Sequence, residues 1–363
     1  MDILTATKAF DRWVSGLIPV VKSQRSKKHN LMASSPVQFL RGTYYRWAQV
    51  FPEVCAVLQE APVVLGVGDL HIASYGTWRD AFGRLIWGID DFDEAYPLPY
   101  TSDLVRLGVS AILEASEGGI KVGLSNVADV ILDGYRTNLR QGGEPFVLEE
   151  KHKWLRKIAL DCLDVPADFW KKMEALPTAR GAIPAEARKL IAQLMPAPGQ
   201  KYRVVRRIAG IGSLGHPRYV AVREWCGGQI ALEAKAARPS ASVWARPGRS
   251  SRIYYQVILE QAIRCPDPFV RLSGKWLVRQ LAPDSSPIEI EAMSGMKDQD
   301  KLLQAMAAEG ANVHLGSARA SARIISDLDR RPGKWLRTAV KQMAAATLDD
   351  WKEWKKSRSA RRH

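Results

Sequence analysis

The chain has 363 residues, 46% of them hydrophobic and 25% charged, and carries a formal net charge of +15. Such ordinary globular usage excludes a chain disordered throughout, and no apolar run reaches the roughly 20 residues that a bilayer span needs. Cys55, Cys162, Cys226 and Cys265 lie far apart without a C-x-x-C pair, so neither a zinc site nor a disulfide framework is expected. The opening stretch MDILTATKAFDRW has an acid where a secretory signal is basic and no apolar region after it, so a reducing cytoplasm is the expected home. Two basic clusters sit near the ends: Lys22, Arg25, Lys27, Lys28 and His29, then Lys352, Lys355, Lys356, Arg358, Arg361 and Arg362. Such runs read first as solvated, solubilising segments, and as a nucleic-acid or anionic-surface patch only if a recognition fold surrounds them.

In chain order, residues 1–62 form a helical segment, with Phe10, Trp13, Val14 and Leu17 at helical spacing and Ser34-Ser35-Pro36 starting a helix over 36–47. Residues 63–67 and 84–89 read as strands, the second ending in the acidic knot Asp90-Asp91-Phe92-Asp93-Glu94. Ser102 is placed to cap a helix over 103–117 that is apolar nearly all round. Helices follow, broken at Gly142-Gly143, Pro166, Pro177 and Pro184, before a linker near 196–199. Strands are then expected over 202–209, 219–225, 230–236, 269–272 and 276–281, with a helix over 251–264 among them, and helices again over 300–354. The order of elements is that of an α+β protein.

Two constellations carry chemistry. Gly210-Ile-Gly212-Ser213-Leu-Gly215 lies between two strands rather than between a strand and a helix. That context favours the kinase type of glycine loop, whose backbone N–H groups cover phosphates, over a dinucleotide fold. Lys235, on the next strand, can reach phosphates under such a loop, and Glu260 on the following helix offers a carboxylate to hold it, with Gln256 and Glu233 as rivals. Earlier in the chain, Gly68-Asp69-Leu-His71-Ile-Ala-Ser74 and Asp91-Phe92-Asp93 each follow a strand. Phosphoryl transfer needs one carboxylate to orient the attacking hydroxyl and another to hold Mg²⁺, and Asp69 and Asp91 suit these roles. Near these motifs Trp78, Trp87 and Trp225 read as core packing before base stacking.

The Gly68-Asp-Leu-His71 and Asp91-Phe-Asp93 stretches resemble aminoglycoside and choline phosphotransferases, which have a kinase-like fold. A fuller resemblance is to the bacterial domain of unknown function 2252 family, assigned to the same kinase-like group. It rests on those stretches with Ser34-Ser-Pro-Val-Gln-Phe-Leu-Arg41-Gly42, Asp103-Leu-Val-Arg106-Leu, the glycine loop and Val278-Arg-Gln-Leu281, spread over most of the chain. The resemblance implies that Asp69 is the catalytic-loop aspartate, Asp91 the metal aspartate and Lys235 the phosphate-contacting lysine. It implies further that Asp103 is a buried support of the catalytic loop. His71 joins the catalytic set, Asp93 and Ser74 the metal set, and Gly210, Gly212, Ser213, Gly215, Lys235 and Glu260 the nucleotide set. Val67 stands where a histidine is familiar and Ser74 where an asparagine would help hold metal, departures that bear on activity itself.

Because the catalytic motifs precede the glycine loop, the implied fold is a circularly permuted, two-lobed kinase. Residues 63–200 would carry the catalytic lobe, 201–283 the nucleotide-binding lobe, and helices over 284–363 would return to the catalytic lobe and end in a basic tail. The expected activity is Mg²⁺- and ATP-dependent phosphoryl transfer to a hydroxyl of a small molecule. The alternatives are a nucleotide-binding regulatory protein, a nucleotidyl transferase, and a nucleic-acid or anionic-surface binder.

Overall fold

Asp2 accepts a 2.8 Å hydrogen bond from Thr5 N and so opens the first helix of a computed structural model that describes residues 1–118, 126–179, 182–197, 199–248, 250–285 and 296–360. Helices α1 (Ile3–Leu17), α2 (Lys22–Ser34), α3 (Pro36–Gly42) and α4 (Tyr44–Val54) follow one another. Ser35 caps α3 by accepting from Gln38 N at 3.2 Å, as its place before Pro36 predicts. The single helix expected over 36–47 divides at Thr43, which leaves helical geometry. Gly42 lets α3 press onto α2, since a Cβ there would sit 2.7 Å from Met32 Cγ.

Strands β1 (Val63–Gly66), β2 (Tyr75–Arg79), β3 (Leu85–Ile89) and β4 (Tyr96–Pro99) form two small antiparallel pairings, β1 with β4 and β2 with β3. Pro97 and Pro99 argue against a strand in sequence, but β4 has only β1 beside it and can forgo ladder donors on its other edge. Helix α5 (Tyr100–Ser116) starts at Tyr100, not after Ser102. Ser102 lies within the first turn, and its hydroxyl accepts from Trp47 Nε1 at 3.3 Å instead of capping. The helix is buried on nearly every side, as its sequence predicts.

Helix α6 (Val127–Gln141) stops at Gly142, whose φ of 84° suits a glycine cap, and β5 (Phe146–Val147) then joins the free edge of β3. Helices α7 (Lys153–Cys162), α8 (Pro166–Glu174) and α9 (Ala185–Leu194) lead to strands β6 (Arg203–Val205), β7 (Arg218–Trp225), β8 (Gly228–Ala236), β9 (Arg271–Ser273) and β10 (Trp276–Leu281). These make one antiparallel sheet in the order β6-β7-β8-β10-β9, with α10 (Ala241–Ala245) and α11 (Tyr255–Gln261) inserted between β8 and β9. Helices α12 (Met296–Leu315), α13 (Ala320–Arg330) and α14 (Trp335–Ser359) complete the chain; α12 packs along α6 and behind β1 and β3, and α14 packs against α5 and α2. The whole is a mixed α+β fold with small antiparallel sheets.

The basic ends are not loose. Trp354 Nε1 donates to His29 O at 3.1 Å, Arg358 bonds Asn30 Oδ1, and His29 Nε2 lies 3.2 Å from Asp11, so both clusters meet where α14 lies on α2. Arg361 and Arg362 lie outside the described residues. Trp87 stacks in the core on Tyr75, Trp78 is buried with its indole N–H on Cys265 O, and Trp225 is half-exposed at a hairpin end. No helix among the described residues is long and apolar enough to cross a membrane.

Candidate active site

Three loops converge between the small strands and the five-stranded sheet. The first, residues 67–74 after β1, requires glycine at its start: Gly68 has φ +80°, and a Cβ there would lie 2.4 Å from Glu94 O. Asp103, buried on α5, accepts from Val67 N at 2.7 Å and Gly68 N at 2.9 Å, and His314 Nε2 lies 3.0 Å from the same carboxylate. Asp103 thus ties the loop to α5 and α12. Ser74 is buried, and its hydroxyl donates to Asp69 O and accepts from His71 N, each at 3.1 Å. The serine proposed as a metal ligand therefore spends its hydroxyl inside the loop.

That network also fixes the histidine. His71 Nδ1 lies 3.1 Å from Ser74 Oγ, whose one proton goes to the Asp69 carbonyl, so Nδ1 is the donor and Nε2 keeps a lone pair. Burial, reinforced by Arg41 and Arg106, holds the imidazole pKa well below its usual 6.5, so the ring is neutral.

Asp69 is held from behind. Arg106, whose side chain is fully buried, donates to Asp69 Oδ1 from Nε at 2.8 Å and from Nη2 at 2.5 Å, and its guanidinium lies over the rings of Tyr44 and Trp47. Asp69 Oδ2 faces the glycine loop, 3.8 Å from where a Cβ on Gly212 would stand. Burial pushes the carboxyl pKa up to about 6, against the pull of Arg106. Sequence reasoning quoted Arg106 without giving it a role. An arginine one turn from Asp103 on an otherwise apolar helix was the available signal, because a buried cation needs a partner.

The second loop, 90–95 after β3, distributes its acids differently. Asp91 is exposed to the cleft, and its Oδ1 only accepts from Asp93 N within the same turn. Asp93, two residues on, pairs with Lys235 Nζ at 2.5 Å. Burial disfavours the Asp93 anion, and the lysine overcomes this and holds its pKa below the ordinary value. Glu94 turns away, accepting from Arg238 Nη2 and Ala241 N, both at 2.6 Å. The expected partner of Lys235 was Glu260, but Glu260 is exposed on α11 and accepts from Gln256 Nε2 at 2.9 Å. Its rival Glu233 is also taken: fully buried, it binds Arg207, Arg218 and Arg279, and these cations hold its carboxyl well below the usual range despite burial.

The third loop joins β6 to β7 and carries the glycines over Asp69. Gly210 has φ +66°; Gly212 faces Arg41 O and Asp69; Ser213 Oγ accepts from Arg218 Nη2 at 2.5 Å. Gly215 lies at the back of the loop, off the cleft, where its carbonyl accepts from Val21 N at 2.8 Å. Lys28, counted in sequence with a solvated run, is buried and donates to Gly212 O at 2.9 Å, with burial lowering its pKa to about 8. Helix α2 is therefore a brace on the loop.

These loops border an open cleft of about 260 Å³ that contains Asp69, His71, Asp91, Gly210, Gly212 and Ser213. A smaller inner recess adjoins it, lined by Asp91, Asp93, Tyr255 and His216. Among the described residues no three His, Cys, Asp or Glu side chains form a metal cage.

The family described as an uncharacterized protein conserved in bacteria (DUF2252) matches residues 21–164 and 173–357 of the chain. No curated protein matches it, and no solved structure does.

Proposed function

The chain belongs to the bacterial DUF2252 family, and we propose from the geometry of the cleft that it is a Mg²⁺/ATP-dependent phosphotransferase acting on a hydroxyl of a small molecule. The carrying observation is the Lys235–Asp93 pair, which joins the glycine-loop sheet to the acidic loop across 142 positions of chain. A glycine loop between the first two strands of a sheet and a lysine on the third is the arrangement that protein kinases use to hold nucleotide phosphates. On this reading the fold is kinase-like in permuted order, the sheet following the loops it closes upon.

The donor set suits magnesium. That ion takes one or two carboxylates and completes its shell with waters and phosphate oxygens, so no protein cage is required. Asp91, exposed and without a cation partner among the described residues, would hold it, with Asp93 beside it balancing Lys235; when bound, the ion neutralises phosphate charge. Asp69 Oδ2 receives the proton of the acceptor hydroxyl, whose oxygen forms a bond to the terminal phosphorus as the bond to the leaving ADP oxygen breaks. A carboxyl with pKa about 6 is ionised at neutral pH yet more basic than an ordinary aspartate, which suits that role. Arg106 fixes the carboxylate, and Asp103 and Ser74 fix the loop.

One observation favours a regulatory, weakly catalytic nucleotide binder instead: Ser74 offers no free ligand for a second metal. The test of both is a thermal melt with Mg–ATP, followed by ADP release. Stabilisation of the wild-type protein with turnover that Asp69→Asn abolishes supports the transferase. Stabilisation without turnover supports the regulator, and no stabilisation by any nucleotide sinks both.

A further inference from the structure

Arg41 ends helix α3 and lines the open cleft beside Asp69 and His71. Among the described residues no carboxylate pairs with it, and its Nε is shut off from water without a hydrogen-bond partner there. The other arginines lining the cleft are committed. Arg207 and Arg279 bind Glu233, while Arg264, whose Nε is likewise unpaired, donates from Nη1 to Ile89 O and lies over the rings of Trp78 and Phe92. Arg41 differs from it in having no partner for any of its side-chain nitrogens among the described residues. A shielded donor left unpaired costs about 1–3 kcal/mol, a defect that native structures rarely keep unless something else meets it.

Resting on the phosphotransferase reading, we infer that the acceptor is an alcohol bearing an anionic group, carboxylate or phosphate, which Arg41 binds beside Asp69. The planar guanidinium fork matches both anions. The position favours the acceptor over the nucleotide: Arg41 lines only the outer cleft, whereas Asp93, the partner of Lys235, lines only the inner recess. His71 adds a neutral acceptor at the same place, because its Nε2 lone pair can take a hydrogen bond from a hydroxyl without adding charge. The cationic acceptors of aminoglycoside and choline phosphotransferases, which its motifs resemble, would gain nothing from Arg41, whereas an anionic group pairs with it.

The test is a titration of the full chain with inorganic phosphate, alone and with a saturating non-hydrolysable ATP analogue and Mg²⁺. Expected are saturable phosphate binding, at least a tenfold loss in Arg41→Gln, partial retention in Arg41→Lys, and undiminished phosphate binding with the analogue present. Arg140→Gln, at an exposed pair remote from the cleft, should behave as wild type. Equal binding by wild type and Arg41→Gln, no binding by wild type, or displacement of phosphate by the analogue would each overturn the inference; displacement would assign Arg41 to the nucleotide. Should the analogue itself fail to bind wild type, the phosphotransferase reading falls and the acceptor claim with it, whereas phosphate binding lost in Arg41→Gln still locates an anion site.

Discussion

The loops after β1 and β3 lie side by side and each presents an aspartate, yet they are built in opposite ways. Asp69 is gripped by a buried arginine, its peptide neighbours are held by Asp103, and Ser74 closes the loop from within. Asp91 has no cation partner among the described residues and faces the cleft, while its neighbours Asp93 and Glu94 take up Lys235 and Arg238. A group that must meet a proton in one orientation gains from fixed supports, and a group that must accept a metal shell gains from being left open. The two loops therefore differ in what a substitution should break.

The largest expected effect is at the held aspartate. Asp69→Asn should lower phosphoryl transfer by about 10²- to 10⁴-fold, the range for loss of a general base, with Mg–ATP affinity within about twofold of wild type by calorimetry. If affinity fell in step with turnover, the division of labour between the loops would be wrong. At the open aspartate the split reverses: Asp91→Ala should remove the magnesium-dependent part of nucleotide stabilisation while leaving the unliganded melting temperature nearly unchanged. Next in size is the support itself. Arg106→Leu leaves the partly buried Asp69 carboxylate without its partner and should destabilise the fold by about 2–4 kcal/mol in urea unfolding, less than a fully buried pair would cost. Adding Asp69→Asn to it should recover part of that loss; strict additivity would argue against direct coupling.

An effect of similar size follows from titration. The folded-state pKa of Asp69, about 6, lies above its ordinary 3.8, so the native state binds the proton more tightly than the unfolded chain. Stability contributed by this group is greatest below pH 4 and is lost as pH rises to about 6, on the order of 3 kcal/mol in all. Wild type should therefore lose stability relative to Asp69→Asn across that window, while the acid limb of turnover rises through it. A flat difference between the two proteins would remove the raised pKa. Smallest is Glu260→Gln: at an exposed position off the Lys235 pair it should shift stability by less than about 0.5 kcal/mol and leave nucleotide affinity alone, whereas Lys235→Met should weaken it clearly.

Much of the framework was legible locally. The strands around the glycine loop, the buried helix α5 and the breaks at Gly142, Pro166 and Pro184 all follow from period, turn residues and caps, which act over a few residues. Strand β4 was hidden because two prolines argue against a ladder, and only its place at a two-stranded edge makes them harmless. The partner of Lys235 was misjudged for a related reason. Glu260 lies 25 positions ahead of it along the chain, but the lysine points to an acid 142 positions behind it.

By itself the sequence determined which chemistry-bearing groups are present, that Asp69 and Asp91 lie in loops just after strands, and that a glycine loop links strand to strand, since residue type and short-range spacing decide these things. Only the tertiary structure decided who pairs with whom. Arg106 rather than solvent holds Asp69, Asp93 rather than Glu260 holds Lys235, Lys28 braces the glycine loop, and Arg41 finds no partner among the described residues. Burial makes each of these choices binding: a charge taken out of water must find whichever opposite charge or dipole the packing brings to it, however distant along the chain.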